Sequence, residues 1–331
     1  MIKYPPIKIN LGLNVLRKRE DGFHDLETLF LESGRFHDTL EIVTGDDYSR
    51  TMASLAARYG DRCGISDGDI PALAQGISEN GKLMITVARA EGVDWDVRKD
   101  LCAKAYALLD NDFKLPPAKI FLEKNSPVGA GLGGGSADAA YTLTMLNDIC
   151  SLGLSTEQLA GYAARLGSDC AFFIFGRPMF GEGRGEVLTP FELAVDIVDA
   201  GGAACSGSRT GSSDGGNDSS GTGTARPCTR EHPEKDRPQY ELQIVIPEGI
   251  SVSTAEAYRG ITPAIPEMRL KDVLARPVSE WKDLLVNDFE ATVFKAHPEL
   301  AAIKQSLYDS GAIYASMSGS GSALFALYER R

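Results

Sequence analysis

The chain opens with a regular alternation of apolar and polar side chains. Residues 7–16 read IKINLGLNVL, and one set of alternate positions is entirely apolar: Ile7, Ile9, Leu11, Leu13 and Val15. Lys8 and Asn10 belong to the other set. Because successive side chains of a strand point to opposite faces, this pattern predicts a strand with one buried face.

Further elements follow from similar patterns along the chain. Strands are predicted at 38–44, 83–88 and 118–124, and helices at 98–110, 136–149, 155–166 and 298–310. Ser155 with Gln158, and Ser253 with Glu256, have the spacing of a helix capping box. The tail, 312–329, reads as a strand, a Gly/Ser turn and a second strand. This mixture predicts an α+β protein with two lobes, residues 1–166 and 167–331.

Two segments break the pattern. Residues 201–224 contain eight Gly, six Ser and three Thr. Such a tract buries too little apolar surface to offset its ordering entropy, so we predict a disordered Gly/Ser-rich insertion at about 200–238 in the second lobe. The segment 46–82 has no clear period, and a helical insertion is one interpretation of it.

Composition narrows the class of protein. The 331 residues carry a formal net charge of -12, which argues against non-specific binding to nucleic acid. The six cysteines include no C-x-x-C pair, so neither a zinc site nor a disulfide framework is predicted. No signal peptide or membrane-spanning run is recognisable. We therefore expect a reduced cytoplasmic protein, monomeric or homodimeric, that binds small molecules.

The run SPVGAGLGGGSADAA, residues 126–140, is the strongest candidate for a binding site. A Walker A loop needs a lysine before its hydroxyl residue, but Gly135 precedes Ser136, so that loop is excluded. A dinucleotide-binding G-x-G-x-x-G is present, but Pro127 interrupts the strand that should enter it. A glycine loop whose N–H groups, with the following helix, hold a phosphate remains. The alternative is a loop that is glycine-rich only for close packing.

The longer pattern P-x-G-x-G-L-G-G-G-S-[SA]-[DN]-A-A resembles the ATP-binding motif of the GHMP kinases. PPIKIN at 5–10 and SMSGSG at 316–321 resemble the N-terminal and C-terminal motifs of that family. The resemblance implies a ribosomal-protein-S5-like N-terminal lobe, a ferredoxin-like C-terminal lobe, and use of ATP and Mg²⁺. It implies ATP contacts at Pro127, Val128, Gly129, Ala130, Gly131, Leu132, Gly133, Gly134, Gly135, Ser136, Ala137, Gly319 and Ser320, with Ser136 as a candidate Mg²⁺ ligand.

Three more stretches narrow the resemblance within the family. REDGFHDLET at 19–28, LGSDCAFF at 166–173 and FGEG at 180–183 resemble the GHMP kinases that act on CDP-methylerythritol in the non-mevalonate isoprenoid pathway. The implied reaction is ATP-dependent phosphorylation of the 2-hydroxyl of that acceptor. Two alternatives stay open: another GHMP kinase, acting on homoserine or mevalonate, and a nucleotide-binding protein without catalytic activity.

The same resemblance assigns roles to individual residues. Lys8 and Asp169 are the implied catalytic pair, in which Asp169 takes or orients the hydroxyl proton. Considered alone, the residues favour a helix cap for Asp169 and a solvated charge for Lys8, and the resemblance reverses that preference. The implied substrate-binding residues are Asn10, Phe23, His24, Lys124 and Phe180. Phe23 and Phe180 would stack on the two faces of the cytosine, His24 would bond its edge, and Lys124 would lie near the nucleotide.

Overall fold

The structure is a computed structural model, and it describes residues 1–44, 71–200 and 237–330. The predicted Gly/Ser-rich insertion and most of segment 46–82 lie outside these ranges. Within them, no helix is long and apolar enough to cross a membrane.

The described residues contain thirteen strands. They are β1 (Ile2–Lys3), β2 (Pro6–Lys18), β3 (His24–His37), β4 (Thr39–Thr44), β5 (Leu73–Ile77), β6 (Leu83–Arg89), β7 (Ala118–Lys124), β8 (Met179–Glu182), β9 (Val187–Pro190), β10 (Asp196–Asp199), β11 (Gln239–Val245), β12 (Tyr314–Met317) and β13 (Leu324–Glu329).

The helices cover the sheets. They are α1 (Leu101–Phe113), α2 (Gly134–Ile149), α3 (Thr156–Ala164), α4 (Cys170–Phe175), α5 (Thr254–Arg259), α6 (Leu270–Leu274), α7 (Val278–Leu284), α8 (Phe289–Ala296) and α9 (Pro298–Asp309), with a 3₁₀ turn at Val97–Lys99. The predicted α+β class is confirmed.

The strands form three sheets, ordered β1-β4-β7-β6-β5, β2-β3-β8-β9 and β10-β11-β13-β12. Only β6–β7 and β10–β11 pair in parallel within these sheets. The apolar face of β2 packs into one cluster with β13, through Ile7, Ile9 and Phe325. The sheet that carries β2 is thereby joined to the C-terminal sheet.

The predicted lobe boundary at residue 166 stays a prediction. Strand β8, which follows that residue, pairs with β3, which precedes it.

The strand predicted at 7–16 exists, but the prediction that only one of its faces is buried was wrong. Lys8, Asn10 and Asn14 are buried as well. The face of β2 that carries these side chains is covered, because the glycine loop and the C-terminal loop pack against it. The Lys8 N–H donates to the Leu132 carbonyl at 2.8 Å, and the Asn10 N–H donates to Ser318 Oγ at 3.4 Å. The polar side chains on this face find partners inside the protein rather than in water.

The helix predictions were confirmed, with small shifts at the ends. The capping box of Ser155 and Gln158 is complete, and Ser253 caps α5. Helix α1 begins at Leu101 rather than 98, because the Asp100 carboxylate accepts the Cys102 N–H at 2.9 Å and so caps the helix there. The part of segment 46–82 that the structure describes forms strand β5, paired with β6, rather than a helix.

Candidate active site

The glycine loop connects β7 to α2 and lies between β2 and the C-terminal Gly/Ser turn. Gly131 and Gly133 have φ values of +76° and +71°, a conformation that side chains rarely adopt. A Cβ at Gly131 would also collide with the Ser318 carbonyl oxygen. The Ala323 N–H donates to the Ala130 carbonyl at 3.1 Å. Two motifs far apart in the sequence are therefore in direct backbone contact.

Helix α2 begins directly at this loop without a side-chain cap. Its N-cap is Gly133, and no side chain accepts a hydrogen bond from the first turn. The first N–H groups of a helix have no partner within the helix, and with the helix dipole they favour an anion. The local geometry is thus suited to a phosphate group.

Lys8 and Asp169 meet beside the glycine loop. Lys8 Nζ lies 3.3 Å from Asp169 Oδ2, and it donates to the Gly131 carbonyl at 2.9 Å and to Asn10 Oδ1. The lysine side chain is only 4% exposed, whereas the aspartate is 32% exposed. Asp169 precedes α4 but makes no capping hydrogen bond. The alternatives of a helix cap and a solvated lysine do not agree with this arrangement.

Two cavities share the glycine loop as a wall. The larger, about 790 Å³, is lined by Lys8, Asn10, Phe23, His24, Asp169, Gly319 and Ser320. The smaller, about 400 Å³, is lined by residues 127–136 together with Trp95 and Lys99. Gly129, Gly131 and Gly133 line both. A nucleotide in one cavity and an acceptor in the other would meet at the Lys8–Asp169 pair.

Aromatic and basic side chains line the far end of the larger cavity. His24 stacks on Tyr258, with ring centroids 4.8 Å apart. Burial, and then the charge of Lys18, lower the pKa of His24, so its ring is neutral at pH 7. Phe23 is 53% exposed, and the Arg184 guanidinium lies 4.9 Å from its ring centroid. Burial and the Asp169 charge raise the pKa of Tyr258.

The structure does not bring Phe180 to this cavity. Its side chain has no exposed surface and belongs to the core cluster beneath β2, with the Lys271 ammonium 4.3 Å from its ring centroid. The predicted sandwich of Phe23 and Phe180 therefore does not agree with the structure. Both faces of β8 are covered, because Met179 and Phe180 point to opposite faces and are both buried, in different core clusters.

Lys124 lines the smaller cavity beside the glycine loop, and its predicted place near the nucleotide stays a prediction. Its side chain is almost fully buried and pairs with Asp38 and with Asp138 at 2.6 Å. Burial lowers its pKa, but the two carboxylates outweigh burial and the pKa is raised. A lysine with both its charge and its donors used in this way is part of an internal ion-pair network rather than a contact for the acceptor.

The loop can reach a ligand mainly through its backbone. The side chains of Ala130, Leu132 and Ala137 are buried in the core. The Ala137 N–H cannot bind a ligand, because it donates to the Gly133 carbonyl at 2.9 Å within the helix. The predicted ATP contact at this residue therefore does not agree with the structure. Burial raises the pKa of the Cys170 thiol to about 11, and the neighbouring Ser136 side chain offsets part of this rise.

Several residues of the site were assigned no role from the sequence, although Thr28 is the last residue of the motif at 19–28. Asn287 donates to the Met317 and Gly319 carbonyls at 2.7 and 2.9 Å and so holds the C-terminal loop. Thr28 accepts from the Asn10 amide at 3.1 Å. Tyr258 and Arg184 join them in the larger cavity. Their roles depend on contacts between distant elements, which a local pattern does not show.

The described residues contain no group of three or more His, Cys, Asp or Glu side chains that could hold a metal ion. Mg²⁺ bound to a nucleotide needs few such ligands, because phosphate oxygens and water supply most of its coordination. The hydroxyl of Ser136 and the accessible carboxylate of Asp169 are oxygen donors of the kind it takes. The residues therefore fit a Mg²⁺ that arrives with the nucleotide.

Comparisons with known proteins agree with this geometry. Residues 100–177 match the family described as GHMP kinases N terminal domain, and residues 270–331 match GHMP kinases C terminal. A 4-diphosphocytidyl-2-C-methyl-D-erythritol kinase of Bacteroides fragilis is 37% identical over 328 residues, covering 99% of this chain and 92% of that protein. One from Azobacteroides pseudotrichonymphae is 38% identical, covering 100% and 94%.

A solved structure gives the same result. The crystal structure of a 4-(cytidine 5'-diphospho)-2C-methyl-D-erythritol kinase superposes with a TM-score of 0.63 at 25% identity, covering 99% of this chain and 90% of the other. The two-lobed GHMP kinase fold expected from the motifs is confirmed. The chain belongs to the 4-diphosphocytidyl-2-C-methyl-D-erythritol kinase family of the GHMP kinases.

Proposed function

We propose that this chain transfers the γ-phosphoryl group of ATP to the 2-hydroxyl of 4-diphosphocytidyl-2-C-methyl-D-erythritol. One observation carries the proposal: the Lys8–Asp169 pair lines the larger cavity, and Lys8 bonds Gly131, which lines both cavities, in a chain 37% identical to such kinases over 99% of its length. A reaction between two bound substrates requires their reacting groups to be held close together in the right orientation.

The Asp169 carboxylate accepts or orients the proton of the acceptor hydroxyl, because it is the accessible member of the pair. Lys8 stabilises the negative charge that develops on the attacking oxygen. Its ammonium is already fixed by Asn10 and the Gly131 carbonyl, so little reorganisation is needed. In this proposal Asn10 acts mainly through Lys8, to which its side chain is bonded.

The loop residues 127–136 bind the phosphates of ATP through backbone N–H groups and the start of α2. Gly319 and Ser320 close on them from the C-terminal lobe, where Gly319 lies against Asn10 and Gly131. Ser136 is the proposed protein ligand of a Mg²⁺ ion, which would neutralise phosphate charge. Phe23 and His24 bind the cytosine.

The decisive experiment offers the purified chain ATP, Mg²⁺ and one acceptor at a time: 4-diphosphocytidyl-2-C-methyl-D-erythritol, homoserine or mevalonate. ADP release with the first acceptor alone, and a ³¹P signal of a new phosphomonoester on its 2-position, is the expected result. Turnover only with homoserine or mevalonate would overturn the substrate assignment. Binding of ATP without turnover of any acceptor would favour the alternative of a nucleotide-binding protein without catalytic activity.

The cytoplasmic location and the oligomeric state stay predictions.

A further inference from the structure

Asp38 lies between β3 and β4 and is completely buried. Its carboxylate accepts four hydrogen bonds, and all four come from the three residues Lys124, Asn125 and Ser126. Oδ1 accepts the N–H groups of Asn125 and Ser126, both at 2.7 Å. Oδ2 accepts the Ser126 hydroxyl at 2.8 Å and the Lys124 ammonium. One side chain therefore uses its full acceptor capacity on one short segment.

That segment leads from β7 into the glycine loop. Ser126 also touches the other end of the loop, because a Cβ on Gly134 would collide with Ser126 Oγ and lie 3.6 Å from Asp38 Oδ2. Gly134 is the first residue of α2. The Asp38–Ser126 pair thus packs against both ends of the glycine loop: the entrance at residues 124–126, and the start of helix α2, where the backbone N–H groups converge.

The neighbouring Asp138 provides a contrast. It pairs with the same lysine and is equally buried, but its Oδ2 bonds Lys124 alone, and within the described ranges Oδ1 has no hydrogen-bond partner. The ion pair by itself could be maintained by one carboxylate. Asp38 differs because it also bonds the backbone of the loop entrance.

We propose that Asp38 is a positioning residue for the phosphate groups of the bound nucleotide. It touches no ligand and acts through Ser126 and the loop backbone; the inference rests on the proposed use of ATP. Backbone donors stabilise transferring phosphate only when they are held in place before binding, so loss of this anchor weakens nucleotide binding. Acceptor binding does not change, because Asp38 is absent from the lining of the larger cavity.

The test compares Asp38→Asn and Ser126→Ala with the unmodified chain. The amide can still accept the two backbone N–H groups through its oxygen, but its NH₂ group faces Lys124 and the Ser126 hydroxyl. Calorimetry with ATP and Mg²⁺ is expected to show about tenfold weaker binding for Asp38→Asn, the size of one lost charge-assisted hydrogen bond. Ser126→Ala weakens binding less. The KM for the acceptor stays as it is in the unmodified chain.

Asp199→Asn is a matched control. Asp199, on β10, is buried and likewise accepts a serine hydroxyl and a backbone N–H, but these come from β3, from Ser33 at 2.6 Å and Gly34 at 2.8 Å, rather than from the loop entrance. This variant is expected to lower thermal stability and leave ATP affinity unchanged. A purely structural role for Asp38 would make the two variants behave alike.

ATP affinity of Asp38→Asn within twofold of the unmodified chain overturns the proposal. If that variant does not fold, Ser126→Ala decides in its place, and unchanged affinity there overturns the proposal too. Calorimetry with ATP does not involve the acceptor. If the unmodified chain does not phosphorylate the acceptor, the proposed function is wrong, but the comparison of ATP affinities still tests the role of Asp38. If the unmodified chain does not bind ATP at all, both proposals are wrong.

Discussion

Lys8 Nζ lies 3.3 Å from Asp169 Oδ2, although the lysine is on β2 and the aspartate at the start of α4. The lysine is buried and fixed by three partners, while the carboxylate is open to the larger cavity. A cation held beside an accessible carboxylate can stabilise an alkoxide that forms next to it.

Asp169→Asn and Lys8→Ala are expected to lower kcat by about 10²–10⁴-fold, because each removes proton transfer or charge stabilisation from the reacting centre. ADP release in a coupled assay measures the effect, and thermal unfolding with calorimetry of ATP shows that the fold and the nucleotide site persist. Near-normal turnover of either variant would contradict the assignment of the pair.

Phe23 and Phe180 should respond in opposite ways to truncation. Phe23→Ala removes an exposed ring from the larger cavity, so the KM for the acceptor rises by about 5- to 100-fold if the ring stacks on the base, which is worth about 1–3 kcal/mol. Phe180→Ala instead leaves a cavity in the core and lowers the free energy of unfolding by about 3–5 kcal/mol.

Urea unfolding and steady-state kinetics on both variants separate the two effects. The structure predicts a stability change for Phe180→Ala alone and a KM change for Phe23→Ala alone. An acceptor KM that rises with Phe180→Ala at unchanged stability would show that Phe180 contacts the substrate after all.

Acceptor binding should depend on pH through His24. Burial and Lys18 lower the pKa of His24 below 6.5, so the ring is neutral at pH 7 and gains its proton only at lower pH. The unfolded chain binds that proton more readily, so the contribution of His24 to stability is complete above about pH 6.5 and is lost as pH falls towards the folded pKa. If the neutral ring bonds the cytosine, KM rises as the pH falls through the folded pKa, which lies below 6.5.

The measurement is the acceptor KM from about pH 5 to 8, in the window where histidine titrates. His24→Gln cannot gain a proton, so its KM should be higher than that of the unmodified chain at pH 7 but lack the additional rise at low pH. An identical pH profile in both proteins would show that another group causes the dependence.

Gly131 should be irreplaceable for a steric reason. Gly131→Ala places a Cβ against the Ser318 carbonyl and requires a φ of +76°, so it should separate the glycine loop from the C-terminal loop and weaken ATP binding as well as turnover. Gly153→Ala is the matched control: its φ is +68°, but nothing lies within 4 Å of the added Cβ.

Both variants incur a similar cost of about 1–2 kcal/mol for the left-handed conformation. If calorimetry shows a larger loss of ATP affinity for Gly131→Ala than for Gly153→Ala, the difference measures the effect of the contact between the two loops. Equal behaviour of the two variants would mean that this contact has no role in binding.

Most of the elements, and the family, follow from patterns in the amino-acid sequence. Alternation over 7–16, the capping residues Ser155 and Ser253, and the glycine run are local patterns, and local patterns reflect backbone preferences that act over a few residues. The long motifs then placed Lys8 and Asp169 in one site, although the residues alone left a helix cap and a solvated lysine open.

What surrounds those motifs depends on the packing of the folded chain. It buried the polar face of β2, turned Phe180 into the core, and gave Lys124 two carboxylate partners, Asp38 and Asp138. None of these outcomes follows from spacing, because burial depends on which distant element covers a face and ion pairing on which strands become neighbours. The sequence specifies which groups are present, and packing between lobes specifies which of them can reach a substrate.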